Sequence, residues 1–285
     1  MHWRKFSNKL LLFQLTLPVL FFIFFPILWL LSASFSNQVE LYSVPPHWIP
    51  QHPTIQNYLD IVNPAMAASS VPRTFATSLL NSLKIASAVT LICIVLGSLA
   101  AYALARIPFK GSRGIQIGIL GTRMIPEVSL IIPLFIVASS LQLINTPTVL
   151  IATYMSFALP YAIWMMIAFF KTVPIELEEA ARLDGCTRLG ILRRVVLPIA
   201  VPGLISTAMF VFLLAWDEFF YALIFTSTLA AKTVPVAISE FIGRYAVNIT
   251  GMMAGGILAA LPPVILGFLF QRYIISGMTA GAVKG

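Results

Sequence analysis

The side chains best suited to a specific interaction lie between residues 179 and 198, a polar stretch within a very apolar chain that we call the polar island. It combines acidic and basic groups with a glycine and a proline, which favour a turn and a helix restart. On a membrane protein, such a loop suits the docking of a partner better than catalysis. The residues that mark it are Glu179, Ala180, Ala181, Asp184, Gly185, Leu197 and Pro198.

The composition places this chain in a bilayer. Apolar residues make up 59% of the chain, charged residues 10%, and the mean hydropathy is +0.93. A soluble domain with these values would expose far too much hydrocarbon to water. The net charge of +8 therefore does not indicate nucleic-acid binding. In a membrane protein, the distribution of the positive charges between the two faces indicates the orientation of the chain.

Six apolar stretches are long enough to cross about 30 Å of hydrocarbon as helix. Helix is the form expected, because the runs are continuous and lack the alternation of barrel strands. The sequence therefore predicts an all-α polytopic membrane protein with a single transmembrane domain over residues 1–285. The predicted spans are 10–34, 77–105, 115–140, 147–170, 196–226 and 250–276.

The basic residues fix the predicted orientation. When loops alternate between the two faces, thirteen of the 18 Lys and Arg residues share the face of both termini, and Arg73, Lys232 and Arg244 lie on the other. The positive-inside rule then puts both termini and the loop 171–195 in the cytoplasm and the loop 35–76 outside. The proline-rich loop 35–76 is expected to be an irregular cap, and the first apolar segment a retained helix rather than a cleaved signal.

The island itself is predicted to form two short helices. Glu176, Glu178 and Glu179 stand in the first turns, where acids complement the helix dipole. Asp184-Gly185 provides a stop, because glycine accepts the left-handed conformation that ends a helix. A second, basic helix is expected from Thr187 to Val196. A solvated amphipathic connector is the alternative interpretation of the same pattern.

The spacing of the island resembles a known signature. Glu179-Ala180-Ala181, then Gly185, and then Val195 with Leu197-Pro198, resembles the EAA motif of the permease subunits of bacterial ABC importers, with valine in place of the usual isoleucine. The resemblance implies the type I ABC importer permease fold. It also implies that the loop is the coupling helix, which in that family sits in a groove of the ATP-hydrolysing subunit.

Two further segments resemble the carbohydrate-importing branch, specifically the smaller permease of maltose-transporter type. They are the stretch from Trp216 to Phe219, where Asp217 departs from the usual asparagine, and the tail from Gly277 to Gly285. The resemblance implies a subunit of a binding-protein-dependent sugar importer. An ABC permease for a polyamine, an amino acid or a phosphate ester is the runner-up. An ion-coupled secondary transporter and a membrane-embedded enzyme fit less well, because neither inverted repeats with midplane acids nor a nucleophile or metal cluster is evident.

The resemblance implies partners as well. The sequence has no Gly-rich Lys-Ser/Thr phosphate loop, so ATP and Mg are expected on partner subunits and no cofactor on this chain. The implied assembly comprises a second permease, two copies of an ABC ATPase and an external solute-binding protein, in the bacterial inner membrane. Maltose, trehalose, other oligosaccharides, glucosyl-polyols and glycerol phosphates all stay open as cargo, as does direct contact between this subunit and the cargo.

Polar residues within or beside the spans are candidates for the translocation pathway, because charges in hydrocarbon are costly without partners or water. Arg123 and Glu127 could pair on one face of the third span, which a structural ion pair would equally explain. Trp216, Asp217 and Glu218 could line the external cavity, although a tryptophan there also fits an interfacial belt. In the tail, Thr279, Gly281 and Lys284 are candidates for contact with the ATPases, with a frayed end as the alternative.

Overall fold

The computed structural model describes the backbone of residues 2–45, 47–63, 70–242 and 247–282, and the side chains of 13–45, 47–63, 74–242 and 247–273. Apart from an isolated bridge between Ile242 and Val247, these residues form helices, turns and irregular segments, which confirms the all-α prediction. The α-helices in chain order are α1 His2–Ser34, α2 Gln38–Leu41, α3 Gln56–Val62, α4 Ser70–Arg106, α5 Ser112–Gly121, α6 Glu127–Ser140, α7 Pro147–Thr172, α8 Ile175–Leu183, α9 Arg188–Ile191, α10 Leu197–Ile199, α11 Val201–Trp216, α12 Phe220–Phe225, α13 Val234–Ser239 and α14 Ile249–Ala282.

Four of these helices contain continuous stretches long and apolar enough to cross a membrane, within α1, α4, α7 and α14. Two further spans arise if each of two sharply bent pairs counts as one crossing. Ser112–Met124 meets Glu127–Ser140 at 92°, and Arg188–Ile199 meets Val201–Trp216 at 83°. The six predicted spans therefore have counterparts, two of which are broken.

The breaks correct the predicted third span, which was expected to be one helix, and they divide the predicted fifth span near Pro202 and Gly203, where a bend was expected. Pro126 keeps Ile125 extended, at φ −78° and ψ 123°, because the proline ring disfavours the helical region for the residue before it. Pro202 has no backbone N–H, so the series of helical hydrogen bonds is interrupted near Ala200. The fifth span also ends at Trp216 rather than at 226. In addition, α4 begins at Ser70 and α2 and α3 lie before it, so the loop 35–76 is shorter and more regular than predicted.

Contacts divide the chain into two compact units, and the divisions fall inside the helices α4, α13 and α14. The smaller unit comprises residues 1–76 and 237–261. Within it, the Asn57 amide donates to the carbonyl oxygens of Ser34 (2.9 Å) and Ser36 (3.0 Å) and accepts from the Thr250 hydroxyl (3.1 Å). This side chain therefore joins the end of α1, the helix α3 and the start of α14.

The larger unit comprises residues 77–236 and 262–285 and contains two buried apolar clusters. One packs Val89, Leu150, Val211 and Phe225 from α4, α7, α11 and α12 together. The other joins the ends of α4 and α7 to the polar island through Phe170, Ile191 and Leu192, among others. A close approach of α11 to α7 requires glycine at 203, since a Cβ there would lie 2.2 Å from Cγ of Phe169.

Candidate functional site

The polar island forms the two short helices predicted for it. Gly185 takes φ +83°, its N–H donates to the Arg182 carbonyl (3.1 Å), and the Cys186 N–H donates to the Ala181 carbonyl (3.0 Å). This pair of bonds is a Schellman motif, in which the left-handed residue satisfies the last carbonyls of α8. Apart from Gly185 itself and its two chain neighbours, no described atom lies within 4 Å of a Cβ built on Gly185, so the backbone conformation alone requires the glycine.

The second half of the island returns as a helix of mixed type. The Thr187 hydroxyl accepts from the Gly190 N–H (3.2 Å) and caps α9. Leu192–Val196 forms a π-helical turn before Leu197 and Pro198 begin α10. A π-helical turn contains one residue more than an α-helical turn, so the side chains that follow it are rotated about the helix axis. Ile191, Leu192 and Val196 are buried, whereas Arg193 and Arg194 are exposed.

The island presents an outer face that combines an acid with apolar side chains. Glu179, Ala180 and Asp184 are exposed. Leu183 is 90% exposed and Leu189 is also exposed, on the two sides of the Gly185 turn. Single exposed leucines are common on protein surfaces, so Leu183 and Leu189 do not by themselves mark an interface.

The opposite face of α8 is held by Glu178, which sequence reasoning did not single out. Glu178 is 2% exposed, and its Oε1 lies 2.8 Å from Nε of Arg106 at the end of α4. The Tyr102 hydroxyl donates to Oε2 of Glu178 (3.0 Å). Arg106 also donates to the carbonyl oxygens of Phe170 (2.6 Å) and Val173. Because these residues lie far apart in sequence, no local pattern reveals the contact.

Three of the predicted pathway residues line one cavity of about 410 Å³, which we call the acidic cavity. It lies beside the break between α11 and α12, within the larger unit. Its volume falls within the range of roughly 300–1,000 Å³ typical of small-molecule sites. The lining residues are Glu127, Phe157, Phe210, Leu213, Leu214, Asp217, Glu218, Phe219 and Phe220.

Arg123 and Glu127 form the predicted ion pair, with 2.8 Å between Nη2 and Oε1. The two residues were predicted to lie on one face of a single helix. Instead, the break at Pro126 separates them. The Arg123 guanidinium also lies 4.3 Å from the centre of the Tyr161 ring, a cation–π contact. The positive charge is therefore held by a carboxylate and an aromatic face beside the acidic cavity.

Glu218 has a structural role at the same place. Its carboxylate accepts from the backbone N–H groups of Tyr221 (2.8 Å) and Ala222 (3.1 Å), the free donors in the first turn of α12. Glu218 follows the end of the fifth span at Trp216, and burial raises the pKa of its carboxyl group while these N–H bonds oppose the rise. Asp217, its neighbour, is exposed to the cavity.

Trp216 is not among the residues that line the acidic cavity. Its side chain is 3% exposed and stacks on Phe212, with ring centres 5.5 Å apart and planes at 19°. The ring therefore packs within the apolar cluster around α11, and an external-face role for Trp216 stays a prediction.

The candidate tail is only partly described. The backbone of α14 continues through Thr279 and Gly281 to Ala282, past the predicted end of the last span at 276. Side chains from residue 274 onward, including that of Thr279, lie outside the described part of the chain, and so does the environment of Gly281. Lys284 lies outside it entirely. Contact of these three residues with an ATPase stays a prediction.

Comparison with known proteins finds relatives along almost the whole chain. The trehalose/maltose transport system permease protein MalG of Thermococcus litoralis is 39% identical over 262 residues, covering 92% of this chain and 91% of that protein. The sulfoquinovosyl glycerol transport system permease protein SmoH of Agrobacterium fabrum is 38% identical and covers 98% and 95%. The trehalose permease SugB of Mycobacterium tuberculosis is 38% identical and covers 91% and 92%.

The fold has counterparts among solved structures. A chain of a bacterial ABC transporter that imports the acidic polysaccharide alginate superposes with a TM-score of 0.76 and 21% identity, covering 94% of this chain and 95% of that one. Residues 93–280 match the family described as the binding-protein-dependent transport system inner membrane component. These residues include the polar island, the acidic cavity and the last span. The chain therefore belongs to this family of inner membrane permease components of binding-protein-dependent transport systems.

Proposed function

We propose that this chain is a membrane-spanning subunit of an ATP-driven sugar importer that receives its cargo from an external solute-binding protein. The observation that carries the proposal is the identity of 38–39%, along more than nine-tenths of the chain, to permeases whose names specify trehalose, maltose or a sulfoquinovosyl glycerol. The runner-up, a permease for a polyamine, an amino acid or a phosphate ester, shares the island but not these relatives.

The polar island is the surface through which ATP hydrolysis drives transport. Its helical hairpin is fixed on the inner side by the buried Glu178, while Glu179, Leu183 and Leu189 remain exposed for a partner. The excess of Lys and Arg on this face supports a cytoplasmic position for the island and for both termini. Two ATPase subunits, which hold ATP and Mg, dock here and on the equivalent loop of a second permease.

The acidic cavity is the part of the translocation pathway that this subunit contributes. Carboxylates accept hydrogen bonds from sugar hydroxyls, and aromatic faces such as Phe157 and Phe210 suit the apolar faces of sugar rings. Its position beside the break between α11 and α12 supports opening and closing by movement of helix segments around the site, as alternating access requires.

Uptake by the complete transporter tests the proposal. The chain is co-expressed with a candidate second permease and ATPase, reconstituted in proteoliposomes, and supplied with the binding protein and radiolabelled sugars, amino acids and polyamines. ATP-dependent uptake of a sugar is expected. Uptake of an amino acid or polyamine without any sugar uptake would establish the runner-up, and uptake driven by an ion gradient without ATP would refute the proposal.

A charge reversal at the docking surface tests the role of the island. Glu179→Lys is expected to abolish coupled transport while membrane insertion stays intact, because the side chain is exposed and supports no described contact of the fold. Glu179→Gln is the matched control, since it removes the charge without reversing it. Wild-type transport by Glu179→Lys would count against docking at this face.

A further inference from the structure

The helix α4 makes two sets of polar contacts with other segments, one at its C-terminal end and one about a third of the way along from its N-terminus. At its C-terminal end, Arg106 and Tyr102 hold Glu178 of α8 through the buried ion pair and hydrogen bond described above. Arg106 is itself only 10% exposed on its side chain. Separating the two helices there would leave charges buried without partners, which is strongly unfavourable. A displacement of α8 therefore carries the end of α4 with it.

In its N-terminal third, α4 holds the segment 229–234, which comprises the last part of the connection after α12 and the first residue of α13. The Asn81 amide donates to the carbonyl oxygens of Leu229 (3.0 Å) and Lys232 (3.1 Å). The Ser82 hydroxyl accepts from the Val234 N–H (2.8 Å). Asn81 and Ser82 are both buried, so these bonds are shielded from competition by water.

The distance between these two anchors matches the thickness of a membrane. Asn81 and Arg106 are 25 residues apart, which corresponds to about 37 Å at roughly 1.5 Å per residue. The hydrocarbon core is about 30 Å thick. From Arg73 to Arg106 the sequence contains no proline, whereas α1, α7 and α14 each contain proline within the helix. Proline and Gly/Ser pairs are the usual causes of a helix kink. Between the two anchors α4 has no proline and one Gly/Ser pair, Gly97-Ser98, and the helix runs without interruption from Ser70 to Arg106.

We propose that α4 acts as a rigid strut that transmits displacement of the polar island to the segment 229–234 on the opposite side of the membrane. The Arg106–Glu178 pair connects α4 to α8, and Asn81 connects α4 to the segment 229–234; we call these two contacts the joints of the strut. All three residues are positioning residues and do not contact the cargo. The inference rests on the proposed function, because it assumes that ATPase subunits move α8. It adds a route by which that movement reaches α12, whose first turn is capped by Glu218 at the acidic cavity.

The first test measures coupling in the assembled transporter. Arg106→Gln and Glu178→Ala are each expected to raise the ATP hydrolysed per sugar imported at least about fivefold, while basal ATP hydrolysis stays within about twofold of wild type, since one or two kcal/mol corresponds to a factor of about 5–30. The double variant is expected to be no worse than either single one, because both remove the same contact. Lys110→Gln is the matched control: it removes an exposed positive charge four residues beyond Arg106 and is expected to keep the wild-type ratio.

The second test follows the far end of the strut. A spin label at Ala230→Cys, in a chain carrying Cys93→Ala and Cys186→Ser, reports the environment of the exposed residue 230 with and without ATP. The ATP-dependent spectral change is expected to be present in the labelled parent and lost in both Arg106→Gln and Asn81→Ala. A purely structural role for these residues would leave the change intact in every complex that assembles.

The outcomes separate the strut from the function on which it rests. If the wild-type complex imports sugar but Arg106→Gln and Asn81→Ala keep both the wild-type ratio and the signal at residue 230, the strut is refuted and the importer stands. If the wild-type complex imports no sugar, the proposed function fails first. Should Arg106→Gln or Glu178→Ala not assemble, Arg106→Lys and Tyr102→Phe weaken the same joint more gently, and unchanged coupling in both would overturn the proposal.

Discussion

The sharpest prediction concerns Gly185, where the backbone and not the space around it requires glycine. A left-handed conformation costs a residue with a Cβ roughly 1–2 kcal/mol, and a β-branched side chain fits it worst. Gly185 has φ +83° and open space around its Cβ position. Gly185→Val is therefore expected to destabilise the Schellman turn by about 1–2 kcal/mol without any clash inside this chain.

The control is Gly185→Asn, because asparagine is the other residue that commonly ends helices in this conformation. Its side chain is of similar size to that of valine, so the pair separates backbone strain from steric bulk. The cost of Gly185→Asn is expected to be smaller, a few tenths of a kcal/mol to about 1 kcal/mol. Transport by Gly185→Asn should accordingly lie between wild type and Gly185→Val.

The assay is binding of the ATPase subunit to the permease complex, titrated in detergent, together with coupled transport. If the hairpin must keep its angle to dock, a cost of 1–2 kcal/mol lowers the competent fraction and raises the apparent Kd by up to about 5–30-fold. Equal losses for Val and Asn would show that a side chain at 185 collides with the partner. Wild-type binding by Gly185→Val would refute the reasoning that the left-handed turn sets the docking geometry.

Three further predictions follow from the cavity and the tail. Glu218→Ala removes the acceptor for the first turn of α12 and should lower the stability of the complex by about 1 kcal/mol, measured as a lower midpoint of thermal inactivation. Asp217→Asn should increase uptake of anionic sugars relative to neutral ones, measured by competition in proteoliposomes, and an unchanged ratio would remove Asp217 from the pathway. Deletion of residues 279–285 should lower sugar-stimulated ATP hydrolysis, whereas an unchanged rate would support a frayed end.

The island could be predicted because its signals are local. Acids in a first turn, an Asp-Gly stop and a basic stretch specify two short helices within about twenty residues, and each signal acts through its own backbone. The six apolar runs are equally local, since span length follows directly from bilayer thickness. These parts of the structure follow from residues that are neighbours in sequence.

The features that sequence reasoning missed depend on distant partners. Glu178 looks like one of several interchangeable acids until Arg106, 72 positions earlier, is placed beside it. Trp216 is buried in the apolar cluster that α11 forms with α4, α7 and α12, although its position at a span end favours a belt residue. Pro126 and Pro202 were visible in the sequence, but proline specifies only that the helix is interrupted and leaves the angle to the packing of the segments.

The charge of the acidic cavity bears on which cargo the chain admits. Glu127, Asp217 and Glu218 line it, and Arg123, paired with Glu127, offsets one of the three. Glu218 is engaged with the backbone of α12 and Glu127 with Arg123, so Asp217 is the exposed carboxylate of the cavity with neither kind of contact that a solute on the proposed pathway would meet. Two like charges roughly 8 Å apart repel by about 2 kcal/mol at an effective dielectric constant of about 20, enough to slow an anionic sugar more than tenfold. If the cavity lies on the proposed pathway, Asp217 is therefore expected to disfavour acidic sugars relative to neutral ones, and Asp217→Asn isolates that single charge.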